Sequence, residues 1–140
     1  MISSLPSLAT LVAIRAAHHA ETTPSFDRVV FEFSDSAPLI QIEYVPELIA
    51  DGSGTPVVIA GQAVLRVSLA PARAHDDNGH MIVPNRLLLD LLSVTEVVCA
   101  GDFEGVVDYG IGIRQKADVR ILTMADPGRL VIDIMQPLPA

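Results

Sequence analysis

The sequence predicts a mainly β protein, an antiparallel β-sandwich or open barrel of about seven to eight strands with one short helix. Three observations favour this fold class. Apolar and polar residues alternate with a period of two along much of the chain. β-Branched residues recur in short runs that end at Gly, Pro or Asp. Strands do not alternate with long helical segments, as they would in a parallel sheet. The 140 residues fit a single domain, residues 1–140.

The first half of the chain begins with an ambiguous segment. Residues 8–17 fit both secondary structures, because the alanines favour a helix while Val12 and Ile14 fit a strand. Residues 26–34 and 39–45 alternate clearly, and the turn-forming residues SDSAP separate them. We therefore predict that these two segments pair as a β-hairpin.

The remaining elements follow from the same patterns. Further strands are predicted at 63–70, 94–100, 105–114, 118–124 and 129–135. Residues 46–62 and 71–83 are rich in Pro, Gly, Asp and Asn, which predicts loops. The one predicted helix is PNRLLLDLL (84–92), because Pro84 comes early and leucines 87, 88, 91 and 92 form a stripe.

The stretch GDFEGVVDYGIG (101–112) contains the candidate ligand-binding residues. GDFEG is predicted to be a five-residue hairpin connection. Extended backbone would place Asp102 and Glu104 on one side. On the next strand, alternation separates an apolar face from a face with two glycines, where another backbone or a ligand can approach closely. A bend or bulge would explain the glycines equally well. The predicted ligand-binding residues are Asp102, Glu104, Asp108, Gly110 and Gly112.

No catalytic residue, cofactor or metal site is predicted. The loops Asp51–Gly54 and His75–His80 resemble calcium loops, but their glycine and acidic positions do not fit an EF-hand, so Asx-type turns are expected. His18 and His19 are adjacent in the sequence and would point to opposite faces of a strand. Cys99, the single cysteine, is expected to be a buried small side chain. A hydrolase that uses carboxylates or a His/Asp metal site remains an alternative.

The amino-acid composition disfavours several classes of binding partner. The formal charge of −8 disfavours nucleic acid and anionic membrane surfaces as partners. Few aromatic rings are available for sugar stacking, since the chain has four Phe, two Tyr and no Trp. No apolar stretch approaches the roughly 20 residues of a transmembrane helix. The first residues lack the basic and apolar regions of a signal peptide, so none is expected in this sequence.

Two segments together resemble a known family. PSFDRVVFEFS (24–34) and DPGRLVIDI (126–134) are similar to the two signature segments of AMIN domains, small β-sandwich modules of periplasmic amidases and secretins. The middle of the chain resembles actinobacterial AMIN-like proteins, which are generally secreted or lipid-anchored. The resemblance covers about residues 8–135 and makes 46–117 an elaboration of the sandwich.

The resemblance implies that the ambiguous first segment is a strand. It also implies a non-catalytic, extracytoplasmic module that attaches to the cell envelope by contacting cell-wall glycan (peptidoglycan), or that positions an envelope protein. A second interpretation is a protein-interaction module, for example a homodimer, because half of the residues are hydrophobic and the mean hydropathy is +0.44. The residues themselves do not decide between these functions.

Overall fold

Two β-sheets pack face to face in a computed structural model that describes residues 8–137. The ten strands are β1 (Ala9–His19), β2 (Phe26–Phe33), β3 (Leu39–Val45), β4 (Ala63–Ala70), β5 (Ala72–Arg73), β6 (Arg86–Leu88), β7 (Val94–Phe103), β8 (Val106–Ile113), β9 (Val119–Met124) and β10 (Arg129–Met135). The predicted fold class is therefore confirmed. Ten strands replace the expected seven to eight, and no residue of the described part is helical. The two strands in segments where no strand was predicted, β5 and β6, have only two and three residues.

The first sheet has the strand order β5-β1-β2-β10-β9, and the second has β3-β4-β8-β7-β6. Neighbouring strands are antiparallel except β1 and β5, which are parallel. The inward-facing side chains form the main core, and those with no exposed surface include Val29, Phe31, Phe33, Tyr109, Ile111, Leu130 and Ile132. The alternation in the sequence thus reflects the inward face that each sheet packs against the other.

The predicted hairpin of residues 26–34 and 39–45 is wrong. Both segments are strands, but β2 lies in the first sheet and β3 in the second. The segment between them crosses from one sheet to the other, and its Asp35 carbonyl accepts a 2.5 Å hydrogen bond from the Gly128 amide. Alternation shows which face of a strand is buried, but not which strand lies beside it. Here β10, almost a hundred residues later, pairs with β2.

The predicted helix at 84–92 is also wrong. Residues Arg86–Leu88 form strand β6, and the chain then turns back to β7 through Asp90, which has a φ of 49°. Leu87, Leu89 and Leu91 pack against the core, while Leu88 and Leu92 are exposed. The burial of the leucines therefore alternates with a period of two. A nearly continuous leucine run fits both periods, and the neighbouring strand selected the extended form.

One buried carboxylate ties the two sheets together. Asp27 on β2 has no exposed surface, and its Oδ2 accepts hydrogen bonds from the amides of Ser93 (2.6 Å) and Val94 (2.9 Å) at the start of β7. Its other oxygen lies 2.7 Å from Nδ1 of His18 on β1. Three hydrogen-bonding groups from two sheets thus meet at one side chain, which makes Asp27 a cross-sheet anchor.

Candidate functional site

The two acidic residues of GDFEG, Asp102 and Glu104, lie in different parts of the hairpin. Strand β7 continues to Phe103, which lies opposite Val106 on β8. Only Glu104 and Gly105 form the turn, with φ of 54° and 80°. Two positive φ angles are typical of a type I′ hairpin turn. The hairpin is confirmed, but its connection has two residues and not five, and Glu104 is exposed at the tip.

Asp102 lies within β7 and not in a turn. Its Oδ2 accepts a hydrogen bond from the Ala74 amide at 3.1 Å and lies 2.7 Å from Nδ1 of His75. The side chain is only 8% exposed. Asp102 and Glu104 therefore do not form a common acidic site. Asp102 instead fastens the 71–83 loop to the second sheet.

The two predicted faces of β8 are present, but the glycine face is not bare. Its apolar side chains Val107, Tyr109, Ile111 and Ile113 are completely buried in the core. On the opposite face, residues 46–62, here called the strap, cover the sheet. A Cβ atom at Gly110 would overlap the Leu48 side chain, and one at Gly112 would overlap the Ala60 carbonyl and the Thr95 hydroxyl. The close approach predicted from the glycines is made by the protein's own chain.

The carboxyl groups of Asp51 and Asp108, here called the carboxyl pair, hold the first half of the strap, which contains Asp51. Asp108 is buried beneath the strap and accepts a hydrogen bond from Nη2 of Arg66 at 3.2 Å. Its pairing partner on β7 is Gly101, and the carboxyl group of Asp51 lies directly over this glycine, which brings Asp51 next to Asp108. Burial, the hydrogen bond to Asp108 and the charge of Asp108 together raise the pKa of Asp51 to about 6. Burial acts to raise the pKa of Asp108, but hydrogen bonds from Asp51, Ser68 and Arg66 outweigh it and hold that pKa below its usual value.

The second half of the strap is fastened differently. The amide of Ala60 donates to Oε2 of Glu96 at 2.6 Å, and its carbonyl accepts from the Thr95 hydroxyl at 2.7 Å. Arg86 bonds the Val58 carbonyl at 3.0 Å and pairs with Glu96 at 2.5 Å. These contacts come from β6 and β7 and do not involve the carboxyl pair.

The other candidate residues have local structural contacts. Asp76 Oδ1 accepts hydrogen bonds from the amides of Asn78 and His80, both at 2.9 Å, which confirms an Asx-type turn. His18 faces Asp27, while His19 faces Glu21 on the other side of β1, as adjacent strand residues should. Cys99 is half-buried, and burial raises the pKa of its thiol. Within residues 8–137, no group of three or more His, Cys, Asp or Glu side chains is arranged to hold a metal ion.

The outer face of the first sheet carries a cluster that the sequence did not reveal. Four of the nine Lys and Arg residues lie on this face: Arg15 on β1, Arg28 on β2, Arg120 on β9 and Arg129 on β10. We call this surface the arginine face. Glu32 on β2 and Asp133 on β10 are the acidic strand residues that point to this face. The face is thus positive in a protein whose net charge is −8.

Two of these arginines are held in fixed positions. Asp133 is buried and accepts hydrogen bonds from both arginines, at 2.8 and 3.0 Å from Arg28 and at 2.8 Å from Nη2 of Arg120. Both guanidinium groups also lie over the ring of Phe26, at 5.2 and 5.1 Å from its centroid. Burial acts to raise the pKa of Asp133, but the two arginines hold it below its usual value. The pair is therefore a rigid, partly exposed guanidinium array.

Sequence reasoning missed this cluster because its members come from four strands. Alternation alone places Arg28 and Glu32 on the outer face of β2, and it places Arg129 and Asp133 on one face of β10. That signal indicates which face each residue occupies. The strand order β1-β2-β10-β9 then brings the arginines together, and this order was not predictable from the hairpin assignment.

Comparison with known proteins supports the resemblance found in the sequence. A model of the AMIN-like domain family matches residues 9–136. No curated protein and no solved structure matches the chain significantly. Within residues 8–137, no helix has the length and apolar character needed to cross a membrane. Because the family match covers nearly the whole chain, this protein belongs to the AMIN-like domain family, which indicates an extracytoplasmic module related to the cell envelope.

Proposed function

We propose that this protein is a non-catalytic binding module that attaches to peptidoglycan through its arginine face. The observation that carries the proposal is the clustering of four arginines on one sheet face of an acidic protein. Guanidinium groups bind carboxylates with two parallel hydrogen bonds, and the peptide stems of peptidoglycan carry carboxylates. The acidic and glycine residues predicted for this role are less suitable, because the strap covers Asp108, Gly110 and Gly112.

The arginine face also provides apolar contact surface. Leu122 and Met124 on β9 are exposed on this face, and the half-buried Val30 on β2 lies between the arginines. Arg15 pairs with Glu32 at 2.7 Å but is 68% exposed, so most of its five N–H donors remain available. A sheet face with guanidinium groups beside exposed apolar side chains suits an extended polymer better than a small molecule, which is usually bound in an enclosed pocket.

Removing Arg15, which is exposed, and Arg129, which is partly exposed, should weaken attachment. We expect Arg15→Ala with Arg129→Ala to reduce binding to insoluble peptidoglycan by about five- to thirtyfold, since each exposed charge-assisted contact contributes about 0.5–1 kcal/mol. Co-sedimentation with purified sacculi measures this. The matched control, Arg114→Ala with Lys116→Ala, removes the same charge outside the arginine face and should bind like the wild type.

Three outcomes would contradict the proposal. Equal loss in both double variants would show that only net charge matters. Undiminished binding to sacculi whose carboxyl groups have been amidated would show that carboxylates are not recognised. Release of soluble fragments from the sacculi above the buffer control would show that the protein is an enzyme.

A second candidate function is homodimerisation through the free edge of the first sheet. Within residues 8–137, strand β9 pairs only with β10, and its Ile121, Leu122 and Met124 are 50%, 54% and 41% exposed. Exposed edge strands with apolar side chains can pair with another chain. If β9 paired antiparallel with β9 of a second copy, the sheet would continue across the dimer. The side chains of Ile121, Leu122 and Met124 would then gain neighbours on both faces of the sheet.

This candidate predicts a dimer that a charge at the edge disrupts. Sedimentation velocity over a concentration series should show a dimer that Ile121→Lys converts to a monomer. Leu88→Lys places the same charge on the exposed edge strand β6 and should leave the dimer unchanged. A wild-type protein that stays monomeric at every concentration would rule this function out.

A further inference from the structure

We propose that the strap is a pH-dependent latch, whose first half is fastened to the second sheet by a proton shared between the carboxyl groups of Asp51 and Asp108. At acidic pH the protonated Asp51 donates a hydrogen bond to the Asp108 carboxylate. At higher pH this proton is lost and two carboxylates face each other. The inference concerns the opposite side of the protein from the arginine face and does not depend on peptidoglycan binding.

The geometry brings the strap close to the sheet at Asp51. Its amide donates a 2.9 Å hydrogen bond to the Ala100 carbonyl on β7. Its carboxyl group lies directly over Gly101, where a Cβ atom would overlap it. Next to it, Leu48 is buried over Gly110. The missing side chains at these two glycines therefore make room for Asp51 and Leu48. Gly101 is paired with Asp108 across the β7–β8 ladder, so the carboxyl group above Gly101 lies beside Asp108.

The charges around the pair explain why Asp51, and not Asp108, takes the proton. Asp108 on β8 is buried and bonded to Arg66 of β4, which stabilises its charged form. Arg66 is also 3.8 Å from Glu43 on β3, so its charge is shared among several carboxylates. Two other titratable groups lie nearby. Glu47 on the strap lines a surface cleft together with Asp51 and Arg66, and the half-buried thiol of Cys99 lies on β7. Asp51 is at the exposed side of the pair and is free to exchange its proton with solvent.

The direction of the pH effect follows from linkage. The pKa of Asp51 is about 6 when the strap is closed, against the ordinary value of 3.8 for an aspartate. Because the pKa is higher in the closed form, protonation of Asp51 stabilises that form, and the stabilisation is complete below about pH 4. It is lost as the pH rises through 6. One proton changes the equilibrium by at most about tenfold per pH unit. Because Asp51 is exposed, we expect about a tenfold effect over the whole interval.

Only the first half of the strap should respond. The backbone of Val58 and Ala60, in the second half, is hydrogen-bonded to the side chains of Arg86, Thr95 and Glu96. These hydrogen bonds do not involve the carboxyl groups of Asp51 and Asp108. In the first half, the amide of Asp51 donates a hydrogen bond to the Ala100 carbonyl on β7. The amide of Gly54 donates to the Ala50 carbonyl, which belongs to the strap itself. These two amides therefore report opening of the latch.

Hydrogen exchange of individual amides, measured by NMR and expressed as protection factors, tests the proposal. Between pH 4.5 and 7, protection of the Asp51 and Gly54 amides should fall about tenfold relative to amides in β10. In Asp51→Asn, whose side-chain amide donates to Asp108 at every pH, protection should be high and constant. The matched control Asp77→Asn, at an exposed loop carboxylate, should retain the wild-type pH dependence.

Constant protection in the wild type would overturn the proposal, as would an unchanged pH dependence in Asp51→Asn. A measurement on the unmodified protein provides a second test that does not depend on how the variant folds. Carbon-13 titration of the aspartate carboxyl groups should place the midpoint for Asp51 near 6. A midpoint near 4 would contradict the shared proton.

Discussion

Gly112→Ala should lower the free energy of unfolding by about 2–3 kcal/mol. The added methyl group would overlap the Ala60 carbonyl oxygen and the Thr95 hydroxyl, which are hydrogen-bonded to each other over this glycine. Overpacking of a tightly packed site costs about 1–3 kcal/mol, and here a backbone atom has to move and a hydrogen bond is strained. Urea unfolding followed by circular dichroism measures the difference.

Gly52→Ala is the matched control for this substitution. It adds the same methyl group within the strap, at a position where no atom lies within 4 Å. Its free energy of unfolding should stay within about 0.5 kcal/mol of the wild type. If Gly112→Ala were equally harmless, the strap would not lie against β8 as described.

Asp27→Ala should have the largest effect of any single substitution considered, a loss of about 3–5 kcal/mol in the free energy of unfolding. The fully buried carboxylate accepts hydrogen bonds from the Ser93 and Val94 amides and faces His18. Its removal leaves two buried N–H groups and a histidine without their partner, and breaking a buried charged network typically costs this much. Thermal and urea unfolding both measure the loss.

Asp77→Ala removes a carboxylate of the same kind from the surface, where it pairs only with Arg73. An exposed ion pair contributes about 0–1 kcal/mol, so this variant should remain close to the wild type. Similar losses in both variants would mean that the change in net charge matters, and not the cross-sheet anchor. A small loss in Asp27→Ala would show that the sheets are not joined at this residue.

The structure changes the significance of the glycines and carboxylates that the sequence singled out. Gly110 and Gly112 do allow close approach, and in the structure the strap lies over them. Asp102 and Asp108 are both buried and hold loops onto the second sheet. The acidic and glycine-rich stretch is therefore the place where the elaboration of this family member is fastened to its sandwich. The surface for which we propose binding to an envelope polymer, the arginine face, lies on the other sheet.

Several features were predictable because they depend on neighbours along the chain. The period-two alternation of residues 26–34 and 63–70 is sufficient to identify strands with one apolar face. The turn at Glu104 and Gly105 and the Asx turn at Asp76 need only a few consecutive residues, so they too could be found by inspection. The signature segments carried the family assignment in the same way.

Features that depend on distant residues were decided only by the tertiary structure. Residues 84–92 fit a helix and a strand, and pairing with β7 selected the strand. Likewise β2 pairs with β10 and not with β3, because burying both apolar faces requires the strands to be distributed over two sheets. The arginine face exists only through that distribution, and the raised pKa of Asp51 exists only because the strap brings it to Asp108. The sequence by itself determined which face each strand buries, whereas contacts between residues far apart in the chain determined which side chains meet.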